Sequence, residues 1–327
     1  MDRKEQALQG IGRSVAIVGS TASGKSALAL FAAKQYDGEI ISVDSMQVYR
    51  DMNIGTAKPT KEELASVRHH MIDICSPYEQ MSSVSFASLA YSAAGDVAKR
   101  GKLPIFCGGT GLYLDAIMRG NAPTETAADE NIRASLMEFA KEKGAHALHE
   151  RLREVDAESA DAIHENNVKR VARALEVFLV SGRPKSVWDR ESKSQEKAVE
   201  PFCVCLCYHN RQTLYDRIDR RVDVMVREGL LDETKRLLDA GVFEVNSTAA
   251  AAIGYKELLP FVKGDIPLDV ALENLKCATR RYAKRQITWF MAKDFVNKLW
   301  CDSEDGDMLS FEEISAEFCR MMEENGF

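Results

Sequence analysis

Eight consecutive residues, GSTASGKS from Gly19 to Ser26, restrict this chain more than anything else in its sequence. They fit G-x-x-x-x-G-K-[ST] in the context that gives the pattern meaning. The apolar run SVAIVG (14–19) before them reads as a buried strand, and ALALFAAKQY (27–36) after them reads as an amphipathic helix. A strand, a glycine-rich turn and a helix N-terminus together make a cradle for phosphate. Its backbone runs through Gly19, Ser20, Thr21, Ala22, Ser23, Gly24, Lys25 and Ser26; Lys25 adds a point charge, and the Ser26 hydroxyl can hold Mg²⁺. The motif specifies a di- or triphosphate ligand without specifying the reaction.

The surrounding pattern predicts the fold class. GEIISVD (38–44) reads as a second strand ending at Asp44, and LPIFC (103–107) as a third, following the helix-like FASLAYSAAGDVAKRG and ending at the turn GGTG. FCVCLCY (202–208) returns as a further strand. Strands alternating with helices, with Gly, Asp and Thr at their C-terminal ends, indicate an α/β protein: a P-loop kinase-like doubly wound parallel sheet with ligands over those ends. Residues 124–200 carry charged helical segments without strands and are read as a helical insertion. The catalytic core is assigned to 1–123 and 201–327, with helical segments from Leu214 onward and an acidic end expected to be a solvated helix and loop.

A chain of 327 residues that is 45% hydrophobic and 28% charged excludes intrinsic disorder and fibrous classes. No window reaches 18 uncharged apolar residues, and MDRKEQALQGIGRS at the start lacks a signal-peptide pattern, so a cytoplasmic protein without a membrane partner is expected. The eight cysteines form no Cys-x-x-Cys pair and are read as reduced thiols; Cys203, Cys205 and Cys207 alternate on one strand and are read as buried packing rather than a metal site. A net charge of −7 argues against nucleic acid only until it is divided. Residues 301–327 alone carry −8, so the rest carries +1, and Lys276 to Lys298 holds seven basic residues against Asp294. A local basic face is therefore allowed.

Two further constellations carry chemistry. In DSMQVYR (44–50), Asp44 faces the phosphate loop and can serve as a general base or orient Mg²⁺; an Asp before a helical turn is equally suited to capping it. In GGTG (108–111) the glycines permit close backbone approach and Thr110 can donate a hydrogen bond, although turns use the same residues.

The ordered series GSTASGKS, DSMQVYR, NIGTAKPT, HHMIDICSP, GGTGLYLDAI, KRVARALEV, LYDRIDRRVDVMVREGL, AAIGYKEL and RRYAKRQITWF resembles the tRNA dimethylallyltransferases, also called tRNA isopentenyltransferases. The resemblance implies an enzyme of the bacterial type that moves the five-carbon group of dimethylallyl diphosphate to the exocyclic amine of the adenosine 3′ of the anticodon in tRNA. It implies Asp44 as the base, Thr110 beside it, and Lys25, Mg²⁺ and Arg221 as the groups that meet charge on the departing diphosphate, with the loop amides from Thr21 to Ser26. Arg220, one helical position away, is expected to point about 100° aside. Asp44, Ser45, Met46, Gln47 and Thr110 are expected to line the pocket for a flipped-out adenine, with Gln47 reading its edge. In the insertion, Arg133 and the segment Lys169, Arg170, Val171, Ala172 and Arg173 are expected to touch the anticodon stem-loop, the three basic residues of that segment sharing one helical face. A monomer is expected. Ser20 stands where the family commonly has proline, Ser26 where threonine is commoner, and the Cys/His zinc finger of some eukaryotic members is absent from the sequence.

Three alternatives share parts of this pattern: a small-molecule P-loop kinase binding ATP, an isopentenyltransferase acting on free adenylate, and a non-catalytic RNA-binding protein. The long insertion with KRVAR favours tRNA over a mononucleotide, and the set Lys25, Asp44 and Thr110 favours catalysis over binding alone.

Overall fold

The computed structural model describes residues 11–119, 129–194 and 199–327. They divide into two compact units, Met1–Met118 with Val199–Phe327, and Arg119–Ala198.

The first unit is built on a six-stranded sheet in the order β3 (His69–His70), β2 (Gly38–Val43), β4 (Leu103–Gly108), β1 (Val15–Gly19), β5 (Phe202–Cys207) and β6 (Val296–Trp300), every pair parallel. β1 (Val15–Gly19), β2 (Gly38–Val43), β4 (Leu103–Gly108) and β5 (Phe202–Cys207) are the apolar runs of the sequence. Such runs are buried on both faces in a parallel sheet, which is why alternation is absent from them. The helix Lys25–Gln35 lays Leu28, Ala29, Ala32 and Ala33 on the sheet, a helical spacing of buried small residues that allows close approach. From β1 the chain crosses over β4 to β2, and from β4 it crosses over β1 to β5. The crevice at the C-terminal ends of β1 and β4 is therefore a topological switch point, where ligands of such sheets bind.

The structure adds two strands that the sequence pattern does not announce. β3 (His69–His70) has two residues, and β6 (Val296–Trp300) is an edge strand with Asn297 and Lys298 exposed, directly after a long helix. The acidic C-terminal segment also differs from expectation. Its helix Phe311–Glu324, opened by a capping box of Ser310 and Glu313, buries Phe318 and Met322 completely against the sheet core. A fully buried Phe or Met side chain contributes about 1.5–3 kcal/mol, so the acidic residues form the outer face of a packed helix. Cys203, Cys205 and Cys207 are buried, and among the described residues no three His, Cys, Asp or Glu side chains are placed to hold a metal. No described helix is long and apolar enough to cross a membrane.

The second unit has helices Glu130–Lys143, Ala145–Val155, Ala157–Ala162, Val168–Ser181 and Lys185–Ser194. It encloses its own core, including Leu136, Leu148, Leu152, Val171, Ala172 and Leu175.

Candidate functional site

Register brings the sheet-end loops together. Val18 pairs with Gly108 and Val43 pairs with Gly108, so the chain leaves β1, β4 and β2 at one edge with the phosphate loop, the GGTG turn and Asp44 side by side. The approach of β2 to β4 is close enough that a Cβ on Gly108 would lie 2.0 Å from the Val43 carbonyl oxygen, so only glycine fits there.

The phosphate loop turns through Ala22 at φ 61°, a left-handed conformation rarely taken by a residue with a side chain, and Gly24 at φ 100°. No side chain caps the helix that begins at Lys25, which leaves its first-turn amides for an anion. Not every loop amide remains available. Thr21 N–H donates to Gln286 Oε1 at 2.8 Å, and Ser23 N–H donates to the Ser20 carbonyl at 3.3 Å, so of the amides from Thr21 to Ser26 those of Ala22, Gly24, Lys25 and Ser26 are left for a ligand. The Ser20 and Ser23 hydroxyls are buried with no hydrogen-bond partner among the described residues.

Over the loop lies a recess of about 360 Å³ lined by Lys25, Ser26, Arg217, Arg220 and Arg221 with Val224. The helix Arg211–Arg227 supplies the three arginines at successive offsets of three and one. Arg220 thus lines the same recess as Arg221 instead of turning aside; a guanidinium on a long stem covers an arc wider than one helical step. Arg217, which sequence reasoning missed, donates from Nε to the Ala22 carbonyl at 2.9 Å and holds the left-handed residue in place.

Lys25, Asp44 and Arg221 form one electrostatic cluster. Burial pulls the Lys25 ammonium below its ordinary value, with Arg221 acting in the same sense and Cys107 and Asp44 opposing. Burial likewise lowers Arg221, opposed by Asp44 and Glu228. Cations that are costly to hold in a partly dry recess gain from an arriving anion. Lys25 Nζ meanwhile donates to the Ser20 carbonyl at 3.1 Å.

Asp44 caps the turn that follows it: its Oδ1 accepts from Met46 N–H at 2.8 Å and from Gln47 N–H at 3.3 Å. Oδ2 has no hydrogen bond among the described residues. Thr110 Oγ1 accepts from Ser45 N–H at 3.2 Å, which ties the GGTG turn to the Asp44 turn. A phenol missed by sequence reasoning, Tyr282, faces Asp44, Thr110 and Gln286; burial, then the Asp44 charge, push it up to about 12, so it stays neutral at physiological pH.

Gln47 lines a second recess with Lys25, Ser26 and Asp44, and its amide is already engaged within the protein. Its Oε1 accepts from the Ser42 hydroxyl at 2.8 Å, and its Nε2 donates to the carbonyls of Thr56 and Ala57 at 3.3 and 3.1 Å. Reading a base edge, the role the resemblance implies for Gln47, would require exchanging these internal partners, which a partly buried amide finds in the unliganded chain. The NIGTAKPT loop it touches is itself pinned. Glu233, unrecognised in the sequence, accepts the N–H groups of Asn53, Ile54 and Gly55 at 2.9–3.0 Å and the Tyr255 hydroxyl at 2.7 Å.

In the second unit, Lys169 and Arg170 are exposed, whereas Val171 and Ala172 lie in that unit's core, so their side chains do not belong to a surface. Arg133 and Arg173 converge on Glu176, whose carboxylate is wholly buried, at 3.0 and 2.9 Å. Burial raises the Glu176 carboxyl, but Arg133, the Asp129 N–H and Arg173 outweigh it and hold the group below the usual carboxylate range. These two arginines therefore carry a structural ion pair, which the helical-face argument did not foresee.

Comparison with known proteins gives the family. The family described as IPP transferase matches residues 47–293, and that described as Isopentenyl transferase matches residues 13–76. A tRNA dimethylallyltransferase of Thermoanaerobacter sp. (strain X514) is 44% identical over 301 residues, 92% of this chain and 94% of that protein. Another from Geobacillus thermodenitrificans is 46% identical over 291 residues, 89% and 90% of the two chains. The crystal structure of a tRNA isopentenylpyrophosphate transferase from Bacillus halodurans superposes with a TM-score of 0.68 at 41% identity, covering 95% of each chain. A eukaryotic dimethylallyltransferase acting on tRNA superposes with a TM-score of 0.77 at 28% identity, covering 94% of this chain and 77% of that one. With three quarters of its length inside one family pattern and relatives matched nearly end to end, the chain belongs to the tRNA dimethylallyltransferase (IPP transferase) family.

Proposed function

We propose that this protein transfers the dimethylallyl group of dimethylallyl diphosphate to the exocyclic amine of the adenosine 3′ of the anticodon in tRNA, releasing diphosphate. The observation that carries this reading is the cluster of one carboxylate with an open oxygen, Asp44, against the cations Lys25 and Arg221 at the end of a phosphate loop. A transferase needs both. The amine nitrogen forms a bond to the allylic carbon while the carbon–oxygen bond to diphosphate breaks. The nitrogen's proton passes to Asp44 Oδ2, and the electron pair leaves with the diphosphate. Lys25, Arg217, Arg220, Arg221 and the free amides of Ala22, Gly24, Lys25 and Ser26 meet the charge that grows on the leaving oxygen, an interaction stronger in the transition state than before it. Thr110 and Tyr282 wall the base side and keep the Asp44 turn in place.

The donor set suits Mg²⁺ held chiefly by substrate. The recess offers the Ser26 hydroxyl, and Mg²⁺ is typically bound by one or two protein oxygens plus phosphates and waters. When bound, it neutralises diphosphate charge. A monomer is the working unit of this proposal, and Lys169 and Arg170, exposed cations of the insertion with no ion-pair partner among the described residues, are offered to the anticodon stem-loop.

Incubation of the protein with unmodified tRNA and labelled dimethylallyl diphosphate tests the reading. Label should enter tRNA with one diphosphate released per transfer, and ATP should neither support nor accompany it, because the allylic diphosphate already contains its leaving group. Stoichiometric ADP per modified tRNA would instead establish a kinase-like use of the loop.

A further inference from the structure

We infer that Gln286 is a positioning residue that locks the phosphate loop to the GGTG turn in the spacing that group transfer uses; the inference rests on the function proposed above. Gln286 projects from the helix Leu268–Met291 and is 6% exposed. Its Oε1 accepts the Thr21 N–H at 2.8 Å, and its Nε2 donates to the Gly109 carbonyl at 2.9 Å. One side-chain amide thus bridges the loop after β1 and the turn after β4, two segments separated in sequence by nearly ninety residues.

The fit admits little else. A Cβ on residue 109 would lie 2.2 Å from Gln286 Nε2 and 3.0 Å from the Gly19 carbonyl, so the turn carries glycine to let the amide in. The bridge needs an acceptor on one side and a donor on the other, with no net charge beside the diphosphate. Among side chains of this reach only a primary amide supplies that. On the loop, Gln286 fixes the Thr21 N–H while Arg217 fixes the next residue, Ala22, by its carbonyl. The left-handed backbone of Ala22 is therefore clamped from both sides. One helical turn before Gln286, Tyr282 reaches the Asp44 and Thr110 side. A single helix so sets the distance between the proton acceptor and the phosphate cradle.

Loss of the bridge leaves loop donors present but loosely aimed, and a misplacement of about 1 Å can cost about a hundredfold in rate. The test compares Gln286→Met, which keeps the volume, with Gln286→Glu, each assayed with dimethylallyl diphosphate and unmodified tRNA. Binding of inorganic pyrophosphate is measured separately. For Gln286→Met we expect kcat to fall about 10- to 100-fold. Pyrophosphate should bind several-fold more weakly, and tRNA should bind within about threefold of the wild type. Gln286→Glu should regain activity relative to wild type as pH falls, because a protonated carboxyl again presents an acceptor and a donor where the amide did. A folded Gln286→Met protein with kcat and pyrophosphate affinity within about threefold of wild type overturns the inference, as does a loss that tracks tRNA affinity. If Gln286→Met does not fold, the pH response of Gln286→Glu decides alone, and a flat response overturns it. Because pyrophosphate binding is read without transfer, failure of Gln286 to matter is distinguishable from failure of the wild type to prenylate tRNA.

Discussion

Asp44 is a cap in the structure and a base in the proposed reaction, and a pair of substitutions separates the two. Its Oδ1 caps the 45–47 turn through two N–H groups, while its Oδ2 is the oxygen left to take a proton. Asn keeps the capping oxygen and is as good a cap as Asp; Ala removes both functions. If Asp44 is the base, Asp44→Asn and Asp44→Ala should each lower kcat by about 10²–10⁴-fold. At 1.36 kcal/mol per tenfold, that is about 2.7–5.4 kcal/mol of barrier. The cap is worth about 1 kcal/mol, so only Asp44→Ala should also lose stability, by about that amount. The Asp44 charge also supports the protonated forms of Lys25 and Arg221, whose recess gains net positive charge when it is removed. Pyrophosphate should therefore bind Asp44→Asn no more weakly than wild type. Single-turnover transfer from labelled dimethylallyl diphosphate, urea unfolding and pyrophosphate titration read the three quantities. Transfer by Asp44→Asn within about threefold of wild type, with Asp44→Ala losing only stability, would refute the assignment and leave Asp44 a cap.

Three further outcomes are expected. Lys25 is held below the ordinary lysine value of 10.5, so it loses its proton at a lower pH than a free lysine; pyrophosphate affinity should fall on an alkaline limb beginning below 10.5, and ligand binding in that range should take up a proton, as calorimetry in two buffers of different ionisation heat would show. The sign for stability is opposite: between the lowered value and 10.5 the unfolded chain binds more protons, so this group's contribution to stability rises with pH. Neutralising exposed Lys169 and Arg170 should weaken tRNA binding and reduce the slope of log affinity against log salt by about one to two, and an unchanged slope would remove them from the interface. Glu176→Ala removes the buried acceptor shared by Arg133, Arg173 and the Asp129 N–H and should destabilise the second unit by about 1–3 kcal/mol in urea unfolding, whereas Arg133→Ala, which leaves Arg173 on the carboxylate, should cost less.

What could be read from the sequence follows from where each interaction lies along the chain. The four central strands and the phosphate loop are local patterns, apolar runs ending in Gly, Asp or Thr, and they stand where the pattern puts them. β3 has two residues and β6 has a polar edge, so neither carries a hydrophobic signature strong enough to be noticed. The helix at the C-terminal end was expected, but its buried face was hidden by its charge: the acidic residues around it mask the spacing of Ile314, Phe318 and Met322, which is four and four. Within the site, Arg217, Tyr282, Gln286 and Glu233 were invisible for a different reason. Each is a polar residue on a charged helix, indistinguishable from a solvated face until the fold brings it to a partner, which for Gln286 is 265 residues away in sequence.

The same distant contacts change what substrate recognition must accomplish. Gln47 already makes hydrogen bonds to Ser42, Thr56 and Ala57, and Arg133 and Arg173 already neutralise Glu176. A base read by Gln47 would exchange existing hydrogen bonds for new ones, and the net gain of such an exchange is small, about 0.5–1.5 kcal/mol per bond. The penalty for a base that drew the amide away without satisfying it is larger, about 1–3 kcal/mol for each buried group left unpaired. Under the proposed function, affinity for tRNA is then expected from exposed cations outside these contacts, Lys169 and Arg170 in the insertion among them, and discrimination from amides that lose more with the wrong partner than they gain with the right one.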